Sequence, residues 1–189
     1  MQTPAATRSG KSRIEWMDAL RGLAIVLVVY DHALRFTIEY AGQAPAVLTF
    51  ISETLNPLRM PAMVFLSGML LSASLSKGPA TYIKGKVRNI LYPYLLWSAI
   101  YVTLFIAAQP ITGSDHGWWE YTEIFYSPPA HLWFLYYLFF YYLLMLGLQR
   151  VPRLVIAGGS LTLAVLMADV PLLPRFWFLF AFFALGDLA

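Results

Sequence analysis

The chain has 189 residues, of which 59% are hydrophobic, 16% aromatic and 12% charged, and its mean hydropathy is +0.63. A soluble domain carries about a quarter charged residues, so this composition predicts an integral membrane protein. The absence of cysteine excludes disulfides, thiolate zinc sites and cysteine nucleophiles. The net charge of +3 does not indicate a nucleic-acid partner, because the basic residues flank apolar segments, where membrane topology explains them.

Successive apolar segments predict an all-α fold, a polytopic bundle of about six transmembrane helices. The first four segments are long enough to span the hydrocarbon core, the fifth is short, and the sixth reaches the last residue of the sequence. The segments lie near residues 19–38, 57–76, 90–109, 131–148, 152–168 and 176–189.

The first segment carries two ionisable residues, Arg21 and His32, eleven positions apart. Eleven residues at about 100° each return to within about 20° of the starting direction, so both side chains share one helix face. The rise between them is about 16 Å, roughly half the hydrocarbon thickness. Because ionisable groups in a membrane usually face the bundle interior or a wet cavity, these two residues predict a polar track.

The charges of the connecting loops alternate along the chain. Nine basic residues lie in a tail over 1–18 and in loops near 77–89 and 149–153, whereas the loops near 40–56 and 110–130 contain no Lys or Arg. The positive-inside rule therefore predicts a cytoplasmic N-terminus and places Arg175 alone on the outer side. The aromatic loop 110–130 is predicted to anchor at the interface, with a wall of an acceptor site as the alternative.

Four segments in order resemble the membrane-bound acyltransferase-3 family, whose members O-acylate sugars and other hydroxyl acceptors. The segments are Asp18-Ala-Leu-Arg21-Gly22 with His32, Arg59-Met-Pro61-Ala-Met-Val-Phe-Leu-Ser67-Gly68, Lys86-Val-Arg88-Asn-Ile-Leu-Tyr92-Pro93, and His131-Leu-Trp133-Phe134-Leu135. Family members usually have around ten membrane helices. The resemblance thus implies that residues 19–189 form the N-terminal part of such a domain in the inner membrane, after the cytoplasmic tail 1–18.

The resemblance implies acyl transfer, with acetyl as the expected group, from acyl-CoA as co-substrate to a carbohydrate or envelope glycan. No bound cofactor or metal is expected. His32 is the candidate catalytic residue, because an imidazole titrates near neutrality and can take the hydroxyl proton. It could instead carry the acyl group covalently or be a structural histidine. Asp31 points about 100° away from it and is expected to pair with Arg35.

Arg21 is the candidate contact for the acyl-CoA phosphates, because a guanidinium matches phosphate oxygens. Asp18, three residues earlier, is expected to pair with it. Lys86 and Arg88 are further candidates for binding the acyl donor. Topology and anionic lipid are the alternative explanation for all three cations.

Three further residues are candidates for lining the acceptor site. Arg59 is expected either to contact the acceptor or to pair with Glu53 or Glu39. Ser67-Gly68 predicts close helix packing, with a lining role for the Ser67 hydroxyl as the alternative. Trp133 belongs to an interfacial belt or to the site.

Two other classes of function remain open at this stage. Intramembrane Arg, Asp and His also mark ion pathways, so a transporter or channel is the main rival. The sequence lacks the inverted repeat and the paired broken helices typical of transporters. A non-catalytic fragment is the third possibility.

Overall fold

The computed structural model describes residues 15–113 and 115–189, apart from the side chains of Glu15 and Met17. The basic residues predicted in the tail, Arg8, Lys11 and Arg13, lie outside this part of the chain. No strand occurs in the described residues, so the all-α class is confirmed. The helices are α1 (Glu15–Ala41), α2 (Ala46–Gly68), α3 (Leu71–Leu75), α4 (Pro79–Lys86), a π-helical turn (Val87–Leu91), α5 (Tyr92–Thr112), α6 (Glu120–Glu123), α7 (Trp133–Gly147), α8 (Arg153–Leu166) and α9 (Leu173–Gly186).

Helix α9 lies at the centre of the bundle and packs against α2 and α8, while α1 packs mainly against α2. The core is aromatic: Tyr141, Phe180 and Phe183 are almost completely buried together with Met145. Their rings contact one another, with Tyr141 5.2 Å from Phe180 and 5.7 Å from Phe183 between centroids. Such tilted aromatic contacts add to the free energy gained from burying apolar area.

Helices α2 and α9 cross at two glycines, Gly68 and Gly186. A Cβ built on Gly68 would overlap the carbonyl oxygen of Phe183, and one built on Gly186 would overlap that of Phe65. The two backbones therefore approach so closely that neither position has room for a side chain. The close packing predicted for Ser67-Gly68 is confirmed, and its partner is α9.

An ion pair and two hydrogen bonds connect the start of α8, the end of α9 and the chain that follows α2. The Nε of Arg153 lies 2.7 Å from Oδ2 of Asp187, and Oδ1 of Asp187 accepts hydrogen bonds from the backbone N–H and hydroxyl of Ser72. The Asp187 side chain is only 3% exposed, so the contact is largely desolvated. It fixes the end of the bundle opposite to His32.

Two helical stretches of the described chain are long and apolar enough to cross a membrane, Ala46–Leu75 and Pro79–Thr112. Helix α1 has 27 residues but carries charged side chains along its length. Helices α7, α8 and α9 have 14 or 15 residues. At 1.5 Å per residue they are shorter than the roughly 30 Å hydrocarbon core. Six full spans are therefore not confirmed.

Two predicted loops are in fact helical. Helix α2 begins at Ala46 rather than near residue 57, and the predicted loop 77–89 contains α4 and most of the π-helical turn. In the loop 77–89, apolar content underestimates the helix, because Lys and Arg are good helix formers even though they lower hydropathy. The second predicted segment also ends early, since α2 stops at Gly68 and a short α3 follows.

Candidate functional site

A cavity of about 450 Å³ opens between α1, α2, the start of α7 and the start of α9. Apolar side chains of α1, α2 and α7 form most of its wall. Its polar lining consists of Asp31, His32, Arg35, Asn56, His131 and Arg175, with Trp133 beside them. We call this the histidine cavity.

His32 contributes an imidazole that has no hydrogen-bond partner among the described residues, although both of its ring nitrogens are buried. The nearest carboxylate oxygen, Oδ2 of Asp31, is 3.9 Å from Nδ1, too far for a hydrogen bond. Buried polar groups are normally paired, so two unpaired ring nitrogens in one cavity indicate a position for a ligand or water. The orientation of Asp31 away from the ring agrees with the sequence.

His131 is the residue that the sequence analysis missed. Its ring centroid lies 3.8 Å from that of His32, and the two ring planes are inclined by 60°. His131 precedes the first residue of α7, so α7 brings it to α1 from more than ninety positions away in sequence. The one available signal was depth: a cytoplasmic N-terminus puts His32 in the outer half of the first helix, and His131 directly follows the outer loop 110–130.

Asp31 organises the charges beside the cavity. Its carboxylate accepts a 2.6 Å hydrogen bond from the Ser52 hydroxyl and lies 2.9 Å from Nε of Arg35 and 3.0 Å from Nη1 of Arg59. The predicted pair between Asp31 and Arg35 is confirmed. One carboxylate thus forms ion pairs with two guanidinium groups, the buried one of Arg59 and the exposed one of Arg35.

Arg59 occupies a different place from the one predicted. It is 5% exposed and pairs through Nη1 with Asp31, not with Glu53 or Glu39. The same Nη1 donates to the carbonyl oxygen of Leu27, and Nη2 donates to Oδ1 of Asn56. Helix α2 turns Arg59 toward α1, so its side chain is absent from the lining of the histidine cavity. It lines an apolar groove between α1 and α2 instead.

Trp133 and Arg175 contact each other in the lining of the histidine cavity. The guanidinium carbon of Arg175 lies 4.6 Å from the centre of the Trp133 ring, a cation–π contact. Trp133 also contacts Tyr137 edge to face, with centroids 5.4 Å apart. The side chain of Trp133 therefore lies at the cavity and within the aromatic packing of α7 at the same time.

Arg21 lies near the other end of α1. It pairs with Asp18 at 3.7 Å, and one of its nitrogens donates to the carbonyl oxygen of Leu66 at 3.3 Å. The next carbonyl along α2, that of Ser67, accepts a hydrogen bond from the Tyr142 hydroxyl. The expected pair with Asp18 is confirmed, and Arg21 faces the bundle rather than open surface.

Lys86 reaches the same end of the bundle from α4. Its ammonium lies 3.4 Å from the centre of the Tyr142 ring, and it lines a polar cavity of about 300 Å³ together with Lys77. Arg88 is exposed and does not line this cavity. The Ser67 hydroxyl donates to the carbonyl oxygen of Met63 within α2 and lines neither cavity. The structure therefore brings Arg21 and Lys86 toward Tyr142 and leaves the other two apart.

The fold and this site define an α-helical protein with a polar histidine cavity and a second, cationic cavity at the opposite end. The chain matches the acyltransferase domain family over residues 14–189, and it belongs to this acyltransferase-3 family. Its members are membrane proteins, in agreement with the two apolar stretches. No curated protein and no solved structure matches the chain.

Proposed function

We propose that the protein is an O-acyltransferase of the inner membrane that moves an acyl group, with acetyl as the favoured group, from acyl-CoA to a carbohydrate hydroxyl. Family membership supports acyl transfer in general. The observation that carries the proposal is the His32 imidazole, whose two ring nitrogens are buried and unpaired at the histidine cavity. This geometry leaves a ring nitrogen available for the proton of a bound hydroxyl.

In the direct route, the acceptor oxygen attacks the thioester carbonyl while His32 takes the hydroxyl proton. The new carbon–oxygen bond forms, the carbon–sulfur bond breaks, and the leaving thiolate recovers a proton from the imidazolium or from water. In the alternative route, a ring nitrogen of His32 attacks the thioester carbonyl and the CoA thiolate leaves. The acceptor oxygen then attacks the acyl-imidazole, the carbon–nitrogen bond breaks, and the hydroxyl proton passes to the released thiolate or to water. Both routes require the same unpaired nitrogen.

His131 places a second imidazole beside His32. The two ring centroids are 3.8 Å apart, and both rings line the histidine cavity. A hydroxyl bound against His32 would therefore also lie close to His131, which could help to hold it in position for transfer.

The donor would bind at the opposite end of the bundle, where Arg21, Lys86 and Lys77 supply positive charge. Phosphate groups favour such cations, above all where a guanidinium can offer two parallel N–H donors. The rise of about 16 Å from Arg21 to His32 matches a ligand whose reactive thioester lies far from its phosphates. The proposed orientation puts Arg21 on the cytoplasmic side, where acyl-CoA is made.

The test is acyl transfer by membranes that contain the full-length protein or its His32→Gln variant. Glutamine keeps most of the side-chain size but cannot accept a proton as an imidazole does, so we expect a loss of about 10²–10⁴-fold in turnover. His116→Gln is the matched control. His116 lies 2.6 Å from the Glu120 carboxylate and does not line the histidine cavity.

We expect His116→Gln to keep wild-type turnover and both variants to insert at wild-type abundance. A His32→Gln protein that is inserted normally and retains more than about a tenth of wild-type turnover would contradict both routes.

A further inference from the structure

The charges around the histidine cavity do not balance. Three guanidinium groups lie at or directly behind its wall, those of Arg35, Arg59 and Arg175, and Asp31 is the one carboxylate that lines the cavity in the described part of the chain. Asp31 lies 2.9 Å from Arg35 and 3.0 Å from Arg59, so these two arginines share its one negative charge. Three guanidinium groups and one carboxylate leave a net positive charge around the cavity.

Arg35 and Arg175 both have donors to spare. Arg35 uses Nε toward Asp31, and its side chain is 66% exposed. Arg175 has no hydrogen bond or ion pair among the described residues, and its guanidinium lies over the face of Trp133. Guanidinium groups that stack on an aromatic ring and keep their N–H edges open are suited to bind a carboxylate or phosphate.

Topology makes the position of these arginines more informative. In the proposed orientation they lie toward the outer side of the membrane, where the positive-inside rule disfavours Lys and Arg. The positive-inside rule thus explains why basic residues such as Lys84 and Arg150 occur on the cytoplasmic side. It does not explain why Arg175 occurs on the outer side. A cavity wall of low dielectric constant also focuses the field of its charges on whatever the cavity holds.

We infer that the histidine cavity accepts an anionic carbohydrate, one that carries a carboxylate or phosphate group near the hydroxyl to be acylated. Arg175 and Arg35 would bind the anionic group, and the reacting hydroxyl would lie beside His32 and His131. This inference rests on the proposed function and specifies the charge of its acceptor. It adds no chemical step to the transfer.

A phospholipid phosphate offers similar chemistry to a free anionic sugar, and the proposed orientation puts the cavity toward the outer side of the membrane. The cation–π contact at Trp133 favours the acceptor, because it holds Arg175 in the lining of the cavity rather than extended toward headgroups. The two sources differ in their response to acceptor charge. The test below separates them.

The experiment measures binding, which needs no acyl transfer. Methyl β-glucuronide and methyl β-glucoside differ only by a carboxylate in place of a hydroxymethyl group, and the Kd of each is measured with the full-length protein in nanodiscs of zwitterionic lipid. We expect the glucuronide to bind about tenfold more tightly or better, as one charge-assisted contact allows. Arg175→Gln and Arg35→Gln should each reduce this ratio toward one, and high salt should do the same.

Arg150→Gln is the matched control, since Arg150 is exposed in the link between α7 and α8 and lines neither cavity; it should keep the wild-type ratio. Equal binding of the two glycosides, no binding of either, or a preference that survives in both cavity variants would overturn the inference. If the wild type binds both glycosides equally and Arg175→Gln lowers the melting temperature only in nanodiscs of anionic lipid, Arg175 binds lipid instead. An intact preference combined with absent acyl transfer would contradict the proposed function alone.

Discussion

At the scale of single residues, the carboxylate of Asp31 links helices α1 and α2 beside the histidine cavity. It contacts Arg35 on its own helix and Ser52 and Arg59 on the next, and Arg59 is 5% exposed. Removal of one partner from a buried ion pair costs about 3–5 kcal/mol, because the other charge is left uncompensated. The position of α1, and with it that of His32, therefore depends on this contact.

Arg21 allows a prediction about the acyl donor. Arg21→Lys keeps the positive charge but loses the planar pair of N–H donors that matches phosphate. One charge-assisted contact contributes about 1.5–3 kcal/mol, so we expect the KM for acyl-CoA to rise about tenfold or more while kcat changes little. The measurement is steady-state acyl transfer at varied acyl-CoA and saturating acceptor.

Arg150→Lys, on the same proposed face of the membrane and outside the lining of both cavities, serves as the control and should leave KM unchanged. If the KM of Arg21→Lys also stays unchanged and the protein instead inserts in the wrong orientation, Arg21 is a topology residue and the donor site lies elsewhere.

The sequence was informative about residues that interact within one helix. The pairs Asp18–Arg21 and Asp31–Arg35 follow from helical spacing alone, and both are present. The partners of Arg59 and His32 lie on other helices, and periodicity carries no information about which helix turns toward which. For this reason Asp31 was missed as the partner of Arg59, and His131 as the neighbour of His32.

At the level of helices, the crossing at Gly68 and Gly186 determines how closely α2 and α9 approach each other at the centre of the bundle. Each glycine faces a carbonyl oxygen of the other helix, so even one methyl group would force the helices apart. The separation of α2 from α9 in turn sets the width of the histidine cavity, which both helices help to line.

Gly68→Ala is therefore expected to destabilise the protein by about 1–3 kcal/mol, the usual cost of overpacking a tight contact. Gly158→Ala is the matched control, because a Cβ on Gly158 in α8 meets no atom within 4 Å. Alanine is the better helix former by about 1 kcal/mol, so the control should be neutral or slightly stabilising. Thermal unfolding in detergent measures both, and equal melting temperatures would show that the crossing tolerates a side chain.

Helix boundaries were predictable only where apolar residues coincide with the helix. Helices α7 and α8 lie close to their predicted segments, because loops with Pro128, Pro129 and Pro152 bound them. Helix α2 extends well before its predicted start, since Pro57 and Pro61 fall inside it rather than at its beginning. A proline inside a long helix removes one intrahelical hydrogen bond without ending the helix when tertiary packing holds both sides.

At the scale of the whole molecule, the two cavities lie toward opposite ends of the bundle. The cationic cavity is lined by Lys77 and Lys86, and the histidine cavity by His32 and His131. The charge alternation of the loops predicts which end is cytoplasmic, and the family match supports acyl transfer. The number of spans was less predictable, because three short apolar helices resemble spans by composition but not by length.

In the proposed function, donor and acceptor approach from opposite sides of the membrane and meet at His32. Sealed inverted membrane vesicles expose the cytoplasmic face, so a carbohydrate acceptor can be trapped in their lumen while labelled acyl-CoA is added outside. We expect labelled acceptor inside the vesicles, formed without entry of acyl-CoA. Labelling that occurs only when acyl-CoA and the acceptor share one side of the membrane would rule out transfer across it.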